Sequence, residues 1–567
     1  MANGFGSLYV GSSGLQSAQN ALNVTANNLS NIDTTGYVRQ QVRFTDKEYA
    51  TLKQTTSNTN IHQSGIGVSI GDVVHARDIF LDKAYRQENG RAAFYSTMYE
   101  GVSNVEDMFQ ELDGQQFKQS VEDLWKSFQE FAKAPADSTN QNLVAQKAEL
   151  FVSRCQSLYS DLQSYQANLN KQIYDDIQTV NDIGNRIYDL NLQIQKVEAS
   201  KVETAMTLRD ERDNLLDELG KYGSITFSED QTGFVTVAME GVDFVDEHRC
   251  NNIALKTENG TGFYTPYWPY ISDASKDEYV PVFHLDQTIS TEFNTDVGKI
   301  KALMVSRGDG YGRYGDLDTE ESYSKVQDCT VMETQAEVDK LFHTVVNTLN
   351  DIFAPNTETT APITTTEGIT YPAGTKILDA ENCAVGADKK LPPQELFTRM
   401  GVERYKEVTG TDGKTYYIFN EEKAEDTSSQ YIIGNTQLNP ELKKQITKMP
   451  SLKMDGAVDY GTAQKLAAVW DERIMTINPT DNTPSTFQGY YDKIIGRLGT
   501  AGNTYSSASD TVTNTVASVN NQRSQVTGVS SDEELTKMVK YQSAYNAASR
   551  YITVISQMTE LIVTGLI

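Results

Sequence analysis

The side chains that most often carry catalytic or metal chemistry are scattered in this sequence. Its five histidines are His62, His75, His248, His284 and His343. None of them belongs to an HExxH pair or to another zinc-ligand spacing, so we interpret them as ordinary surface or core residues. Gly65, Gly67 and Gly71 imitate part of a dinucleotide-binding loop, but their spacing is wrong and no helical pattern follows them. Turns between strands explain these glycines better.

Two further stretches have the residue types of a ligand site. The loop GDGYGRYGDLDTEE contains Asp309, Asp316 and Asp318, whose carboxylates could attract calcium, but it lacks the ligand order of an EF-hand. The aromatic run YTPYWPY suits a sugar-binding platform or the local core of a small β domain, and the second role is the commoner one. Its aromatic members are Tyr264, Tyr267, Trp268 and Tyr270. We therefore expect no catalytic residue, no cofactor and no metal site.

Cysteine spacing, hydropathy and the N-terminal residues indicate whether to expect disulfides, a membrane span or a cleavable signal peptide. The four cysteines, Cys155, Cys250, Cys329 and Cys383, form no CxxC pair and are expected to be isolated thiols. No stretch of the chain is apolar enough to span a bilayer. The start, MANGFGSLYVGSSG, lacks the basic residues and the apolar run of a cleavable signal peptide.

The charge of the chain is unevenly distributed. The formal net charge is -28 over 567 residues, which argues against nucleic acid or an anionic membrane as a partner. The charges within residues 1–60 and 525–567 cancel, so the whole excess lies in residues 61–524. Neutral ends and an acidic middle indicate that the ends are buried against something while the middle faces water.

A narrow apolar seam runs along the last helical stretch. Its members are Met538, Tyr541, Tyr545, Ala548, Ile552, Ile555 and Ile562. Their alternating three-four spacing is typical of a coiled coil rather than of a half-buried globular helix. Ser531, which acidic residues follow, is the candidate N-cap of this helix.

A second seam lies near the opposite end of the sequence. It consists of Leu8, Leu15, Leu22 and Leu29, which recur every seven residues, with Ala18 and Thr25 between them. It stops at NNLSNIDTTGY, where asparagines, an aspartate and a glycine end the helix and turn the chain. We expect the two seams to pair in an assembly, although an intramolecular helical bundle would show the same pattern.

Between the seams the sequence changes its periodicity several times. Apolar residues alternate with polar ones at 38–44 and 66–70, which predicts extended segments. The polar stretch Thr51–Asn60 between them is interpreted as a linker. From Phe80 to Gly220 the pattern is helical almost throughout, with two heptad runs that a stutter near Leu169–Ile173 separates. One helix of about sixty residues would be roughly 90 Å long.

The second half of the chain alternates between β-like and helical sequence. SITFSEDQTGFVTV and TDGKTYYIF predict hairpins, and β-like sequence extends to about Asp296. Helical periodicity returns near Ile300, from Val331 to Phe353, and from Gly461 to Val526. We predict an α+β multidomain protein with three nested parts. They are a terminal α-helical coiled coil (1–60 and 525–567), an elongated helical-bundle rod domain (61–220, 298–354 and 459–524) and β-rich outer domains (221–297 and 355–458).

Four stretches carry a family resemblance. GLQSAQNALNVTANNLSNIDTTGYVRQ resembles the N-terminal signature of the flagellar rod, hook and hook-associated proteins, and QVTGVSSDEELTKMVKYQSAYNAASRYITVISQMTELI resembles their C-terminal signature. The GY-x-RQ ending resembles the hook-associated members, because hook proteins more usually read GFK. FSEDQTGFVTVAMEGVDFV and TFQGYYDKIIGRLGTAGN are similar to the same members. The resemblance is weak over 240–295 and 355–455.

The resemblance implies a structural subunit of the bacterial flagellum that joins hook to filament outside the cell. It implies export through the flagellar type III channel, which needs no cleaved signal peptide. The implied partners are copies of the same chain, the hook protein, the next junction protein and an export chaperone on the C-terminal helix. Two alternatives stay open: the hook protein itself, and a secreted adhesin or enzyme with its activity in the β insertions.

Overall fold

Long helices interrupted by small antiparallel sheets make up the fold. The computed structural model of the chain describes residues 2–34, 36–47, 50–54, 61–109, 117–199 and 204–565. Its helices lie at both ends and through the middle, and its sheets lie between them. The α+β multidomain class predicted from the sequence is confirmed.

The N-terminal part is one helix followed by four strands. These elements are α1 (Ala2–Ser30), β1 (Gln40–Asp46), β2 (Ala50–Gln54), β3 (Ile61–Ser64) and β4 (Val68–His75). β1 pairs with β4 and β2 pairs with β3, both antiparallel. The predicted linker is therefore wrong over residues 51–54, where a polar segment forms a strand because pairing with β3 satisfies its backbone groups. Residues 55–60 lie outside the described part of the chain.

Four helices follow, and they confirm the helical pattern predicted from Phe80 to Gly220. They are α2 (Ile79–Phe109), α3 (Phe117–Lys133), α4 (Ser138–Glu198) and α5 (Met206–Leu219). α4 is 61 residues long, which corresponds to roughly 90 Å. Its first turn is capped by Asp137, whose carboxylate accepts the N–H of Thr139 at 2.9 Å. Both predicted heptad runs of α4 face the core, so one apolar stripe positions this helix along most of its length.

A small β region and three helices come next. Their bounds are β5 (Ile225–Glu229), β6 (Val235–Met239), β7 (Val242–Val245), β8 (Ala254–Thr257), β9 (Tyr264–Tyr267), α6 (Lys299–Arg307), α7 (Glu320–Tyr323) and α8 (Thr330–Phe353). β5, β6 and β7 form an antiparallel sheet, and the first two are the predicted hairpin. The prediction of β structure up to Asp296 is wrong after Tyr267, because two 3-10 turns and irregular chain follow there.

The second β region contains short strands and one short helix. Its elements are β10 (Asn356–Glu358), β11 (Ile363–Thr364), β12 (Thr370–Tyr371), β13 (Lys376–Leu378), β14 (Phe397–Arg399), β15 (Tyr405–Thr409), β16 (Thr415–Phe419), β17 (Thr436–Leu438) and α9 (Pro440–Lys444). The predicted TDGKTYYIF hairpin is confirmed as β15–β16. It belongs to a four-stranded sheet in the order β10-β13-β16-β15.

Three helices close the chain. They are α10 (Tyr460–Ala468), α11 (Phe487–Thr527) and α12 (Ser531–Gly565). The helical zone predicted from Gly461 to Val526 is wrong over 472–486, where Pro479 and Pro484 prevent a helix. The N-cap of α12 is Ser530 rather than Ser531, since the Ser530 carbonyl accepts the N–H of Glu534 at 3.0 Å.

The helices of the middle part share one core. Phe151 of α4 stacks on Phe342 of α8, with ring centroids 5.7 Å apart, and Phe131 of α3 meets Phe353 of α8 edge to face. All four rings are buried. Aromatic contacts of this kind join helices that are far apart in the sequence, and they form a scaffold from which α11 leads towards the end of the chain.

A buried ionic cluster holds α11 against α8. The Arg497 guanidinium donates to Glu337 at 2.7 and 2.8 Å and to Glu333 at 2.7 Å. Burial raises the pKa of Glu333 to about 8, and the neighbouring Glu337 carboxylate opposes its ionisation further. Because two carboxylates share one guanidinium away from water, the charged form of Glu333 is disfavoured.

The stability of the α8–α11 contact is therefore expected to fall as the pH rises. Between its ordinary pKa of 4.5 and its folded pKa of about 8, Glu333 binds a proton in the folded chain but not in the unfolded one. The free energy of unfolding loses at most about 1.4 kcal/mol per pH unit through this group. Glu333→Gln should reduce the slope, which denaturant titrations at pH 5, 6.5 and 8 will measure. The exposed Glu320→Gln is the control, and an unchanged slope in Glu333→Gln would refute the assignment.

Candidate assembly interface

α1 and α12 pack against each other in antiparallel directions. A Cβ placed on Gly11 would lie 2.7 Å from Ile552 Cγ1, and one placed on Gly14 would lie 3.8 Å from Ala548 Cβ. Residue numbers therefore rise along one helix as they fall along the other. A side chain larger than glycine at position 11 would collide with α12, so this glycine permits the close approach of the two helices.

Small residues, not leucines, occupy the buried centre of α1. The buried positions are Gly11, Ser13, Ser17, Ala18, Ala21, Thr25 and Asn28. Ser13 and Ser17 face β4, where the Ser13 hydroxyl accepts the Val68 N–H and the Ser17 hydroxyl donates to the Val68 carbonyl. The predicted positions Leu8, Leu15, Leu22 and Leu29 are half-buried and flank this centre. Short side chains bring the two backbones together, and the leucines then cover the edges of the narrow contact.

On α12 the predicted seam faces α1 over most of its length. Met538, Tyr541, Tyr545, Ala548, Ile552 and Ile555 are all half-buried. Ile562 is 58% exposed, because the antiparallel arrangement places it opposite the first residues of α1. We call the six half-buried residues the inner seam. Among the described residues of α12, Glu534 alone is buried, so the contact between the two helices is shallow.

A second row of apolar side chains on α12 escaped the sequence analysis. These residues, which we call the outer seam, are Leu535, Val539, Val554, Met558 and Leu561. Their exposed fractions run from 47% at Leu535 to 72% at Leu561, whereas the neighbouring Tyr551 lies against Gly11 of α1. The last three have the four-three spacing of a helix face, a signal that a count of apolar positions on both faces would have found. None of the described helices is long and apolar enough to cross a membrane.

Polar groups at the end of α1 form a network that we call the terminal polar cluster: Asn28, Tyr37, Gln40 and Glu534. The Asn28 amide donates to the Gln40 carbonyl at 2.9 Å and to the Glu534 carboxylate at 3.1 Å. Its oxygen accepts the Gln40 N–H at 3.0 Å and the Tyr37 hydroxyl at 2.8 Å. Burial, with Asp210 and Glu534 nearby, raises the pKa of Tyr37 to about 12.

Ion pairs attach the terminal part to the helices of the middle. Arg523, near the end of α11, contacts Asp82 of α2 and Asp217 of α5, each at 2.6 Å. Arg86 of α2 binds the same Asp217 at 2.7 Å and Asp213 at 3.4 Å. These charges are largely withdrawn from water, so each depends on its partners to offset the cost of burial. The network fixes three helices where the terminal pair begins.

His75, one of the five scattered histidines, lies beside this network. Its Nε2 is 3.3 Å from Asp210 Oδ1. Burial lowers the pKa of His75 to about 4 and raises the pKa of Asp210 to about 7. Both shifts favour the uncharged form of the group concerned, because burial penalises each charge.

The other stretches considered for ligand chemistry have structural contacts. Asp316 accepts the N–H of Arg313 at 2.8 Å, and Asp318 pairs with Lys340 at 3.4 Å. Trp268 is fully buried against Phe244. The remaining aromatic residues of that run are Tyr264, which contacts Tyr174 of α4, Tyr267, which contacts Tyr279, and the partly exposed Tyr270. Among the described residues no three metal-ligating side chains come together.

Known protein families match three parts of the chain. The flagellar hook-associated protein FlgK helical domain matches residues 102–360. The flagella basal body rod protein family matches 8–37, and the C-terminal family of the flagellar basal body rod FlgEFG proteins matches 520–564. The last two matches cover most of α1 and nearly all of α12, the two helices of the interface.

Individual relatives extend over nearly the whole chain. The flagellar hook-associated protein 1 of Bacillus subtilis is 25% identical over 558 residues, covering 97% of this chain and 96% of the relative. The protein of the same name from Salmonella typhimurium is 22% identical and covers 95% and 96%. The solved structure of the flagellar hook junction protein FlgK from Burkholderia pseudomallei shares the fold, with a TM-score of 0.50 and 11% identity over 79% of this chain and all of that one. This chain is therefore similar over nearly its whole length to flagellar hook-associated protein 1, and its helical middle matches the FlgK helical-domain family.

Proposed function

We propose that this chain is a structural subunit of the bacterial flagellum that stands at the junction between hook and filament. The match to the FlgK helical-domain family and the similarity to hook-associated protein 1 over nearly the whole length support this role. The proposal assigns it no catalytic activity. We place the subunit outside the cell, after export through the flagellar channel with α1 retained, because α12 packs on the residues that a signal peptidase would remove.

The outer seam is the observation that carries the mode of assembly. α12 is already paired with α1 through its inner seam, yet it presents five more apolar side chains to water. We assign a second copy of this chain as the occupant, with the terminal helix pair of each copy packing on that of the next. The acidic middle repels its counterpart in another copy, whereas residues 1–60 and 525–567 carry no net charge and can approach closely.

The same surfaces define the further partners. The terminal pair of a subunit at the edge of the junction would meet the hook protein on one side and the next junction protein on the other. Before assembly, an exposed apolar helix favours aggregation, so an export chaperone that covers α12 is the expected partner inside the cell.

Localisation tests the proposed function directly. Gold-labelled antibody against the middle part of the chain, applied to isolated hooks with filaments, is expected to mark a single zone at the distal end of the hook. Flagella from cells that lack the gene serve as the control. Label along the whole hook would indicate a hook protein, and label on the cell surface away from flagella would indicate an adhesin or enzyme; either result would refute the proposal.

A further inference from the structure

The apolar contacts between α1 and α12 do not by themselves specify how the two helices are aligned. The inner seam repeats every seven residues, with Met538, Tyr545 and Ile552 at equivalent positions. On α1 the small residues Gly11, Ala18 and Thr25 repeat with the same period. A shift of α12 by seven residues would therefore bring similar side chains together, and burial alone distinguishes the two alignments poorly.

The terminal polar cluster has no such repeat. Asn28 and Glu534 are each 1% exposed, and they are separated by 506 residues in the sequence. Asn28 uses both amide hydrogens and both acceptor sites of its oxygen, so its hydrogen-bonding capacity is full. The amide cannot be reversed, because it faces both the N–H and the carbonyl of Gln40.

Both carboxylate oxygens of Glu534 also accept hydrogen bonds. One carboxylate oxygen accepts from Asn28 at 3.1 Å and the other from Lys537 at 2.6 Å. Glu534 also lies in the first turn of α12, where the helix dipole favours a negative charge. In a shifted alignment the carboxylate would remain close to α1 but would lose Asn28, and Asn28 would lose a hydrogen-bond acceptor in a buried position.

We propose that the hydrogen bond between Asn28 and Glu534 fixes the register of α12 against α1. In any alignment that separates Asn28 from Glu534, buried polar groups lose their hydrogen-bond partners, which costs free energy. The apolar inner seam stabilises the helix pair but carries no such penalty for a wrong alignment. This inference rests on the proposed assembly role, since the register determines where along the axis of the helix pair the outer seam contacts the next copy.

Engineered disulfides in the purified full-length chain report the register. Gly14→Cys with Ala548→Cys should cross-link in the native alignment, since a Cβ at position 14 lies 3.8 Å from Ala548 Cβ. Gly14→Cys combined with Tyr541→Cys or Ile555→Cys reports a shift of seven residues in either direction. Oxidation of dilute protein followed by peptide mass spectrometry identifies each cross-link and separates it from the native cysteines.

Loss of the polar pair should redistribute the cross-links. With Asn28→Ala or Glu534→Ala, the yield at position 548 should fall at least about five-fold while a cross-link at 541 or 555 appears. Glu534→Gln keeps an oxygen that accepts from Asn28 and should retain most of the native cross-link. Asn27→Ala and Asp532→Ala are the controls, because both neighbours are exposed, whereas Glu533 is unsuitable since it pairs with Arg39 at 2.9 Å.

Two results would overturn the inference. If Asn28→Ala and Glu534→Ala cross-link at 548 as the parent does, the apolar contact alone sets the register. If all three cross-links disappear, the cluster holds the helices together without choosing their alignment. The cross-links are read in unassembled protein and the antibody label in cells, so failure of this inference and failure of the junction role are distinguished.

Discussion

Ile552→Asp is expected to release α12 from α1 and to abolish incorporation at the hook tip, while the thermal melt of the middle helices and sheets stays unchanged. The Ile552 side chain lies against Gly11 of α1, where a Cβ would come within 2.7 Å of its Cγ1. Its half-burial contributes about 1 kcal/mol, and placing a carboxylate in the same apolar contact costs more than that loss. The buried core of the middle lies elsewhere and should be unaffected.

Three measurements check this expectation. Calorimetry should show the parent melt, limited trypsin digestion should cut sooner at Lys540 and Arg550, and the cells should build hooks, shed filament subunits into the medium and fail to swim. Thr553→Asp places the same charge one residue along, on the exposed polar face of α12, and should assemble far better. Equal assembly of the two variants, or a lower melting temperature of the middle part in Ile552→Asp, would contradict the assignment.

Val554→Asp is expected to block assembly by a different route, with the helix pair intact. Val554 belongs to the outer seam and is 51% exposed in the single chain, so a charge there meets water and leaves the contact with α1 unchanged. In the assembly the same side chain would face a neighbouring copy, and each 1.4 kcal/mol lost at that contact lowers incorporation about tenfold. Since every copy carries the change, we expect a loss of more than tenfold.

The two variants differ in the cross-link between positions 14 and 548. Val554→Asp should form it as the parent does, whereas Ile552→Asp should not, and both should fail to reach the hook tip. Thr553→Asp again provides the control for an added charge. Normal assembly of Val554→Asp would show that the outer seam is not the surface between copies, and a lost cross-link would show that it also holds α1.

Local periodicity was enough to predict much of this architecture. The heptads of α4 predicted a single long helix and the side that faces the core, and alternation by twos predicted the hairpins β5–β6 and β15–β16. Both signals depend on neighbours within one or two turns, so a sequence displays them directly. The signatures at the two ends indicated the family before any fold was known.

The partners across the molecule were settled only by the tertiary structure. The leucines of α1 predicted an apolar stripe, but the buried centre is formed by small residues such as Gly11 and Ala21, because the approach of α12 selects short side chains. The strand at residues 51–54 was missed since pairing with β3, not side-chain pattern, makes it a strand. Asn28 and Glu534 meet across 506 residues, and no local rule links them. A sequence states which face of an element is apolar or charged, whereas long-range packing decides what that face contacts.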